Sequence, residues 1–442
     1  MAEAAQALIS PVPEAHTPER WSLVSLVLFR FAFVYLALYC WPEAGRTSLL
    51  DAIPNFSLGA LNDAGQGMIK LIQAPTHALA TWVAIHVFRL SGPVTKYHPT
   101  GSGDTTLDYV MVFSFAAIAI IAAILWSLLD RRRLNYRTLY AWLRLLIRFT
   151  LAFTLLAYGF AKVYPMQFRS PFLSTLAETY GESSPMGILW TFMGASAAYT
   201  KFCGFAEVLA GALLLFRRTT TLGALVAVGA MSNVVMLNFC YDVPVKLYSL
   251  HLLLMSLFLL IPDAAALMRF FVLHRVSRLD GVWLPRFERR HLRIAAIVLQ
   301  ILVICSVLYN NAWIGYKNLR EMSAGYFRNA PLYGIWNADD AKAGWRQLAI
   351  HLSRFMYIRD ASGERASFST TYDEANHTVK ISGGKWKQQG DFSYTQPDAQ
   401  HLTLRGTLNG ELVVASFHRL DESKLLLISR GFHWINEDPF NR

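Results

Sequence analysis

Four consecutive apolar segments between Leu139 and Asp263 contain charged and amide side chains, and this combination constrains the fold more than any other feature. Each segment approaches or reaches the roughly 20 apolar residues that a bilayer crossing requires. The ionisable and amide residues within them are Arg144, Arg148, Lys162, Glu207, Asn233, Asn238, Lys246 and His251. A charge at the bilayer centre costs about 3 kcal/mol on insertion scales unless it is paired or hydrated. The sequence therefore predicts membrane-spanning helices whose polar side chains face one another.

The overall composition also favours a membrane protein. Hydrophobic residues make up 54% of the chain and charged residues 16%, with a mean hydropathy of +0.31. The net charge of +11 is concentrated in short arginine clusters beside the spans. These clusters are Arg131–Arg133, Arg217–Arg218, and the group Arg275, Arg278, Arg286, Arg289, Arg290 and Arg293. Such clusters are typical of cytoplasmic loops, so we expect a lipid bilayer and no nucleic acid as the partner.

The order of the apolar segments predicts seven spans. Spans at Trp21–Trp41, Val110–Leu129 and Ile294–Ile314 flank the four central ones. Residues 68–90 have helical periodicity, but their apolar stretch is short, which favours an interfacial or re-entrant helix. Placing all three arginine clusters inside puts the tail, residues 1–20, in the cytoplasm and the C-terminus outside. We therefore expect a multi-pass protein of a bacterial inner membrane.

The region after the last span, residues 315–442, differs in character from the rest of the chain. From about residue 345 to about residue 430, short runs alternate apolar and polar side chains between turn signals such as Gly383-Gly384 and Asn409-Gly410. Asn-Gly between two alternating runs is typical of a β-hairpin. Seven or eight such strands predict a small antiparallel barrel or sandwich. We expect a helical domain, residues 21–314, followed by an extracytoplasmic β domain that offers a surface to a protein partner.

Arg148 and Glu207 are the first candidate site. Each lies eight to ten residues into one of two consecutive helices that run in opposite directions, and at 1.5 Å per residue both come near mid-membrane. An ion pair between them would either fix the packing of the helices or carry a proton or a substrate group. Arg30 reaches a similar depth on the first span and is a further member of this group.

A second group of polar residues is expected near the outer face. It consists of Lys162, Asn233, Asn238, Tyr241, Asp242, Lys246 and His251. The two lysines could extend their amines to the interface. His251 is either a hydrogen-bonded core histidine or a group that binds a headgroup, a quinone carbonyl or an anion. Haem is disfavoured, since His86 is the only other histidine near this depth.

The segment Thr100–Tyr109, TGSGDTTLDY, is similar to a glycine loop that binds an anion at the start of a helix. It lacks the Lys-Ser/Thr pair of a P-loop. Asp104 is most simply the N-cap of the next helix, and with His98 and Ser102 the alternative is a ligand site. The four cysteines have no CxxC pair or zinc-ligand spacing, so we predict no metal site and find no cofactor signature.

Three segments of the central region have a recognisable pattern. They are RFTLAFTLLAYGFAKVYPMQF, with Gly159 and Lys162, AEVLAGALLLFRRTTTLGALVAVGAM, with Glu207 and Gly211, and the apolar hairpin that follows. Together they resemble the DoxX family of bacterial membrane proteins. The resemblance covers residues 139–263 and implies a four-helix core. Some proteins of this family are associated with quinone-linked oxidation of sulfur compounds or with membrane redox complexes, which implies quinone or electron handling here. The additional spans and the β region go beyond the family pattern.

Two functions are therefore expected. The first is a quinone- or lipid-associated redox protein, with Arg148 and Glu207 as a buried pair and Lys162, Asn238 and His251 in an outward-facing pocket. The second is a non-enzymatic assembly or binding protein whose β domain engages an extracytoplasmic partner, while the charges only pack helices. A solute carrier is disfavoured because no inverted repeat is evident.

Overall fold

The structure, a computed structural model, describes residues 20–41, 59–97, 100–277, 289–324, 329–340, 344–384, 387–431 and 433–434. Its helices are α1 (Leu23–Tyr39), α2 (Gly59–His86), α3 (Thr106–Leu129), α4 (Arg137–Val163), α5 (Leu173–Leu176), α6 (Pro185–Ala195), α7 (Ala197–Leu215), α8 (Thr220–Cys240), α9 (Lys246–Leu260), α10 (Ala264–Phe271), α11 (Arg290–Leu308), α12 (Gly315–Ala324) and α13 (Leu426–Ser429). Its strands are β1 (Asn329–Ala338), β2 (Trp345–Leu352), β3 (Phe355–Asp360), β4 (Arg365–Asp373), β5 (Thr378–Gly383), β6 (Gln388–Thr395), β7 (His401–Leu408) and β8 (Glu411–Arg419). The chain forms two compact units, one from the described parts of Met1–Gly159 and Ala206–Asn310, the other from those of Phe160–Phe205 and Asn311–Arg442.

Six helices of the described ranges are long and apolar enough to cross a bilayer. They are Thr106–Leu129, Arg137–Val163, Ala197–Leu215, Arg217–Cys240, Lys246–Phe271 and Arg290–Arg320. The seventh predicted span, at the N-terminus, is the 17-residue apolar helix α1. It begins at Leu23 because the hydroxyl of Ser22 accepts a hydrogen bond from the backbone amide of Ser25, at 3.1 Å, and caps the helix. The mainly helical membrane architecture is confirmed, with six helices able to span a bilayer and one shorter apolar helix.

The segment at residues 68–90 lies mostly in α2, a 28-residue helix that continues through Pro75. The backbone amide of Trp21, just before α1, donates to the carbonyl of Leu134, just after α3, at 3.0 Å. The start of α1 therefore lies beside the end of α3, and these two packed helices run in opposite directions. A single crossing by α2 between them would make them parallel. This arrangement favours the prediction that residues 68–90 form an interfacial or re-entrant helix.

The α4, α7 and α8 helices approach one another closely at glycines. A Cβ atom at Gly211 of α7 would lie 2.8 Å from the carbonyl oxygen of Ala152 and 2.9 Å from Cγ of Leu156, both on α4. A Cβ atom at Gly223 of α8 would lie 2.9 Å from Cβ of Leu213 on α7. Membrane helices commonly use small residues for such contacts. These two glycines therefore fix the distance between the three helices.

The eight strands form a closed antiparallel barrel in which each strand pairs with the next and β8 pairs with β1. This confirms the predicted β domain and shows a barrel that begins at Asn329, earlier than the alternation in the sequence indicates. Side chains alternate along each strand: in β4, Ala366, Phe368 and Thr370 are buried. An eight-stranded barrel has an interior just wide enough to be filled by side chains. Here large side chains that include Trp336 and Phe417 fill it.

The segment between α4 and α7 is attached to the barrel wall. Leu173 of α5 is buried against Ile335 and Ala349, whose side chains lie on the outside of the barrel. Both guanidinium nitrogens of Arg359 donate to the carboxylate of Glu182, at 3.2 and 2.8 Å. The hydrogen bond from Arg359 lowers the pKa of Glu182 below its usual range. A second ion pair joins Arg365 to Glu178.

This attachment also constrains the number of crossings. Two segments in contact lie on the same side of a bilayer, so an even number of spans must separate the α4–α7 segment from the barrel. The helices between them that are able to span, within the described ranges, are α7, α8, α9 with its extension α10, and α11. Four crossings satisfy the requirement. The contact between loop and barrel therefore supports the span assignment independently of hydropathy.

Candidate functional site

Four of the predicted polar residues meet at one end of the helical unit. The carboxylate of Asp104 accepts hydrogen bonds from the backbone amides of Lys246, at 2.7 Å, and Leu247, at 3.0 Å. The amine of Lys246 lies 2.7 Å from Oδ1 of Asp242 and 3.8 Å from Oδ2 of Asp104. The hydroxyl of Ser102 accepts from the amide of Asp104 at 3.1 Å. The glycine loop is thereby fastened to the turn that begins α9.

The helix that Asp104 caps is not the one predicted. Thr105 caps α3, in a capping box in which Asp108 accepts from the backbone amide of Thr105 at 2.9 Å. Asp104 instead binds the first two amides of α9, which need acceptors because the N–H groups of the first helical turn have no carbonyl partner within the helix. The T-x-x-D spacing at Thr105 was the signal for the true N-cap. His98, the other candidate of this loop, lies outside the described residues.

Replacing Asp104 with alanine is expected to destabilise the helical unit by about 2 kcal/mol, since a lost cap alone costs about 1 kcal/mol and two buried amides lose their acceptor. The matched control is Asp242→Ala, which removes the exposed partner of the same lysine and should cost less than about 1 kcal/mol. Chemical unfolding of the full-length protein in detergent measures both. Equal losses in the two variants would contradict the capping role.

His251 lies in an aromatic environment that uses both of its ring nitrogens. Its Nε2 is 2.6 Å from the hydroxyl of Tyr35, and its Nδ1 is 2.6 Å from the carbonyl oxygen of Leu247. Its ring stacks on Tyr39 with the centroids 3.8 Å apart. Because a carbonyl only accepts, Nδ1 carries a proton, and in the neutral ring Nε2 accepts from Tyr35. This geometry is that of a hydrogen-bonded core histidine, the first of the two alternatives considered.

The remaining predicted pocket residues differ in their surroundings. Asn238 is buried on α8, and its Nδ2 has no hydrogen-bond partner among the residues that the structure describes. Asn233 is exposed on the same helix, and Tyr241 is half-buried where the helix ends. Lys162 is buried near the end of α4. Asn238 is therefore the one of these four with a buried, unsatisfied polar atom.

Arg30 does not join Arg148. Its Nε and Nη2 donate to the hydroxyl of Tyr136, at 3.1 and 2.9 Å, and its Nη1 donates to the hydroxyl of Ser127 at 2.8 Å. Its Nη2 also donates to the carbonyl of Asp130 at 2.8 Å. These partners belong to the end of α3 and the turn before α4. The expectation that Arg30 reaches the Arg148 group is therefore wrong: its long side chain joins α1 to that turn.

Arg148 and Glu207 are both buried, with 2% and 3% of their surfaces exposed. The contact between α4 and α7 sets their separation. These helices run in opposite directions because α6, with 11 residues, is too short to cross between them. Gly211 faces Ala152 and Leu156, which fixes the register of the two helices. Arg148 precedes this contact on α4 and Glu207 precedes it on α7, so in antiparallel helices they are displaced in opposite directions from it. At 1.5 Å per residue, they lie about 15 Å apart along the helix axes. Their ion pair stays a prediction, which this register disfavours.

A group of arginines around Arg148 was not predicted as a site. Arg144, one turn before it, and Arg217, in the turn after α7, act on Arg148 as like charges. Arg144 is also buried, and its Nη2 donates to the carbonyl of Leu259 at 3.1 Å. In the sequence, the spacing of four residues already places the two α4 arginines on one helix face. Only the fold brings Arg217 to them.

In the barrel unit, His351 lies between two aromatic rings. The ring centroid of Phe172, from the attached segment, is 4.9 Å away, and that of Tyr333 is 5.4 Å away. Burial lowers the pKa of His351 below its usual value. Its Nδ1 has no hydrogen-bond partner in the described part of the chain. This histidine is therefore part of the packing between the α4–α7 segment and the barrel.

The described residues contain no group of three or more His, Cys, Asp or Glu side chains arranged to hold a metal ion. Cys40, Cys203, Cys240 and Cys305 form no disulfide within the described part of the chain. Neither observation bears on a quinone, for which the expected ligands remain a prediction.

One relative identifies the family of the chain. The uncharacterized protein YwoB of Bacillus subtilis (strain 168) is 39% identical over 126 residues, which are 28% of this chain and 79% of that protein. No family model matches the chain, and no solved structure matches it. The similarity thus covers most of the relative and about a quarter of this chain. The resemblance to the DoxX family stays a prediction.

Proposed function

This chain belongs to the same protein family as YwoB of Bacillus subtilis, and we propose that it is a non-enzymatic membrane protein whose β-barrel binds a protein partner outside the cytoplasm. The arginine clusters beside the spans support this orientation, because clusters of this kind are typical of cytoplasmic loops and the C-terminal region then lies outside. The polar residues of the helical unit support a structural role for it, since Arg30, Asp104 and His251 all hold helices together. The barrel is then the part available for recognition.

The interior of the barrel favours binding on its outer surface. Trp336, Phe368 and Phe417 are fully buried at its centre, and Phe392 is nearly so. A small ligand would have to displace these side chains from a close-packed interior. Barrels that carry a ligand inside leave a cavity for it. Recognition by this barrel therefore involves its wall.

Exposed apolar side chains on the wall are the observation that carries the proposal. Leu412 and Val414 occupy alternate outward positions of β8, with 85% and 48% of their surfaces exposed. Their cross-strand neighbours on β7 are Thr407 and Arg405. The short helix α13 exposes three more apolar side chains, Leu426, Leu427 and Ile428. Contiguous exposed apolar surface marks interaction sites, and arginine is enriched at protein interfaces.

Site-specific cross-linking tests this function. A photo-reactive amino acid in place of Leu412 in the full-length protein is expected to yield an adduct with a defined protein in native membranes. The same amino acid in place of Lys380, whose side chain is 73% exposed on β5, is the control and should yield none. Leu412→Asp should abolish co-purification of that protein, because a buried unpaired carboxylate opposes docking.

Two results would contradict the proposal. Identical adducts from positions 412 and 380 would indicate non-specific proximity. Stoichiometric quinone in the organic extract of the purified protein, lost on Glu207→Gln, would favour the quinone-linked redox function instead. That function stays a prediction: in the described structure both ring nitrogens of its candidate His251 are occupied, so a quinone carbonyl would have to displace Tyr35 or Leu247.

A further inference from the structure

Arg148 is a buried cation with unused hydrogen-bonding capacity. Only 2% of its surface is exposed, yet its Nε and Nη1 atoms have no hydrogen-bond partner among the residues that the structure describes. The ring centroid of Phe149 lies 4.8 Å from its Cζ, and a cation–π contact offsets only part of the cost of burial. Buried guanidinium groups in proteins normally donate to an acceptor. A ligand that supplies one would be stabilised here.

The charges around Arg148 define what kind of ligand fits. The groups that act on it electrostatically are the guanidiniums of Arg144 and Arg217. Asp263 interacts with Arg144, and its Oδ2 already accepts from the hydroxyl of Thr221 at 2.6 Å. Among these described groups there are thus three cations and one carboxylate, and that carboxylate already accepts a hydrogen bond. An anion with several acceptor oxygens would remove the repulsion and satisfy the free donors together.

We propose that Arg144, Arg148 and Arg217 form a binding site for a phosphate group between the first half of α4 and the turn that follows α7. The guanidinium fork matches two phosphate oxygens, which suits a phosphate better than a halide. Arg217 is exposed in the turn between α7 and α8, so a phosphate would reach the two buried arginines from this end of the helices. A lipid headgroup and free phosphate share this chemistry. The site is independent of the partner bound by the barrel.

Thermal unfolding of the full-length protein in detergent tests the site, with phosphatidylglycerol, phosphatidylcholine or inorganic phosphate added in turn. We expect phosphatidylglycerol to raise the unfolding midpoint and phosphatidylcholine to have a much smaller effect. Arg148→Gln and Arg217→Gln should each weaken the apparent affinity about tenfold, the usual effect of losing one charge-assisted contact. Arg218→Gln, the same change at the adjacent exposed arginine, is the matched control and should retain the wild-type response.

Each result decides the matter. Stabilisation by phosphatidylglycerol that is lost in the two variants and kept in the control supports a lipid site. Stabilisation by inorganic phosphate with the same dependence on the arginines supports a site for the free anion. An equal response of all four proteins to phosphatidylglycerol, or no response of the wild type to either phosphate source, would overturn the proposal. Arg217→Gln keeps the test valid if Arg148→Gln does not fold, since Arg217 is exposed.

Discussion

Trp336→Ala is expected to lower the free energy of unfolding of the barrel by about 4 kcal/mol, the usual cost of truncating a buried tryptophan. The side chain is fully buried, and its indole nitrogen donates to the carbonyl of Leu332 at 3.0 Å. Truncation leaves a cavity and also leaves that carbonyl without its donor. Hydrogen exchange of the strand amides in the full-length protein measures the loss, since core amides exchange through opening of the barrel.

Leu412→Ala is the control, because this side chain projects from the same barrel into the surroundings. The free energy of opening calculated from its exchange rates should differ from that of the wild type by no more than about 0.5 kcal/mol, as is usual for a surface substitution. Equal protection in Trp336→Ala and the wild type would show that the barrel interior is not the source of its stability.

Gly211→Leu is expected to destabilise the packing of α4 against α7 by about 3 kcal/mol, the upper part of the usual range for overpacking. A Cβ atom at this position would lie 2.8 Å from the carbonyl oxygen of Ala152, and backbone cannot move aside as a flexible side chain can. The helices must therefore separate, and Arg148, one turn before Ala152, becomes more exposed. Unfolding in detergent measures the destabilisation.

Gly229→Leu is the matched control. It makes the same substitution within α8, where a Cβ atom would have nothing within 4 Å. Because leucine is a better helix former than glycine by up to about 1 kcal/mol, this variant should be at least as stable as the wild type. A similar destabilisation by both substitutions would mean that the close approach at Gly211 does not determine the helix spacing.

The spans and the barrel were predictable from sequence because each depends on local patterns. A long apolar run specifies a membrane helix whatever its neighbours are, and alternation with turn residues specifies consecutive hairpins. The barrel consists of consecutive hairpins closed by β1 and β8, so its order follows the chain. Closure itself was not predictable, because a barrel and a sandwich share the same alternation. The bounds of α1 and α2 also differed from those predicted. The cap at Ser22 sets the start of α1, and α2 is longer than predicted and continues through Pro75.

The candidate sites were less predictable, because depth in a span does not say which way a side chain points. Arg30 and Arg148 lie at similar depths by count, yet Arg30 reaches Tyr136 at the turn before α4, while Nε and Nη1 of Arg148 find no acceptor among the described residues. The glycine loop was recognised as important, but its carboxylate serves another helix. The sequence shows Arg144, Arg148 and Arg217 as charges in or beside the spans, but it does not predict that they form one site.

What the sequence by itself determined is therefore the set of apolar helices, the β domain after them and the list of costly buried charges. What only the tertiary structure decided is how those side chains are used, since their partners are distant in the chain. Asp104 caps a helix that begins 142 residues later, Tyr35 bonds to a histidine 216 residues away, and Arg359 binds a carboxylate 177 residues before it. Hydrophobic patterns act locally, whereas hydrogen bonds and ion pairs need geometry that exists only after the helices pack and the barrel closes.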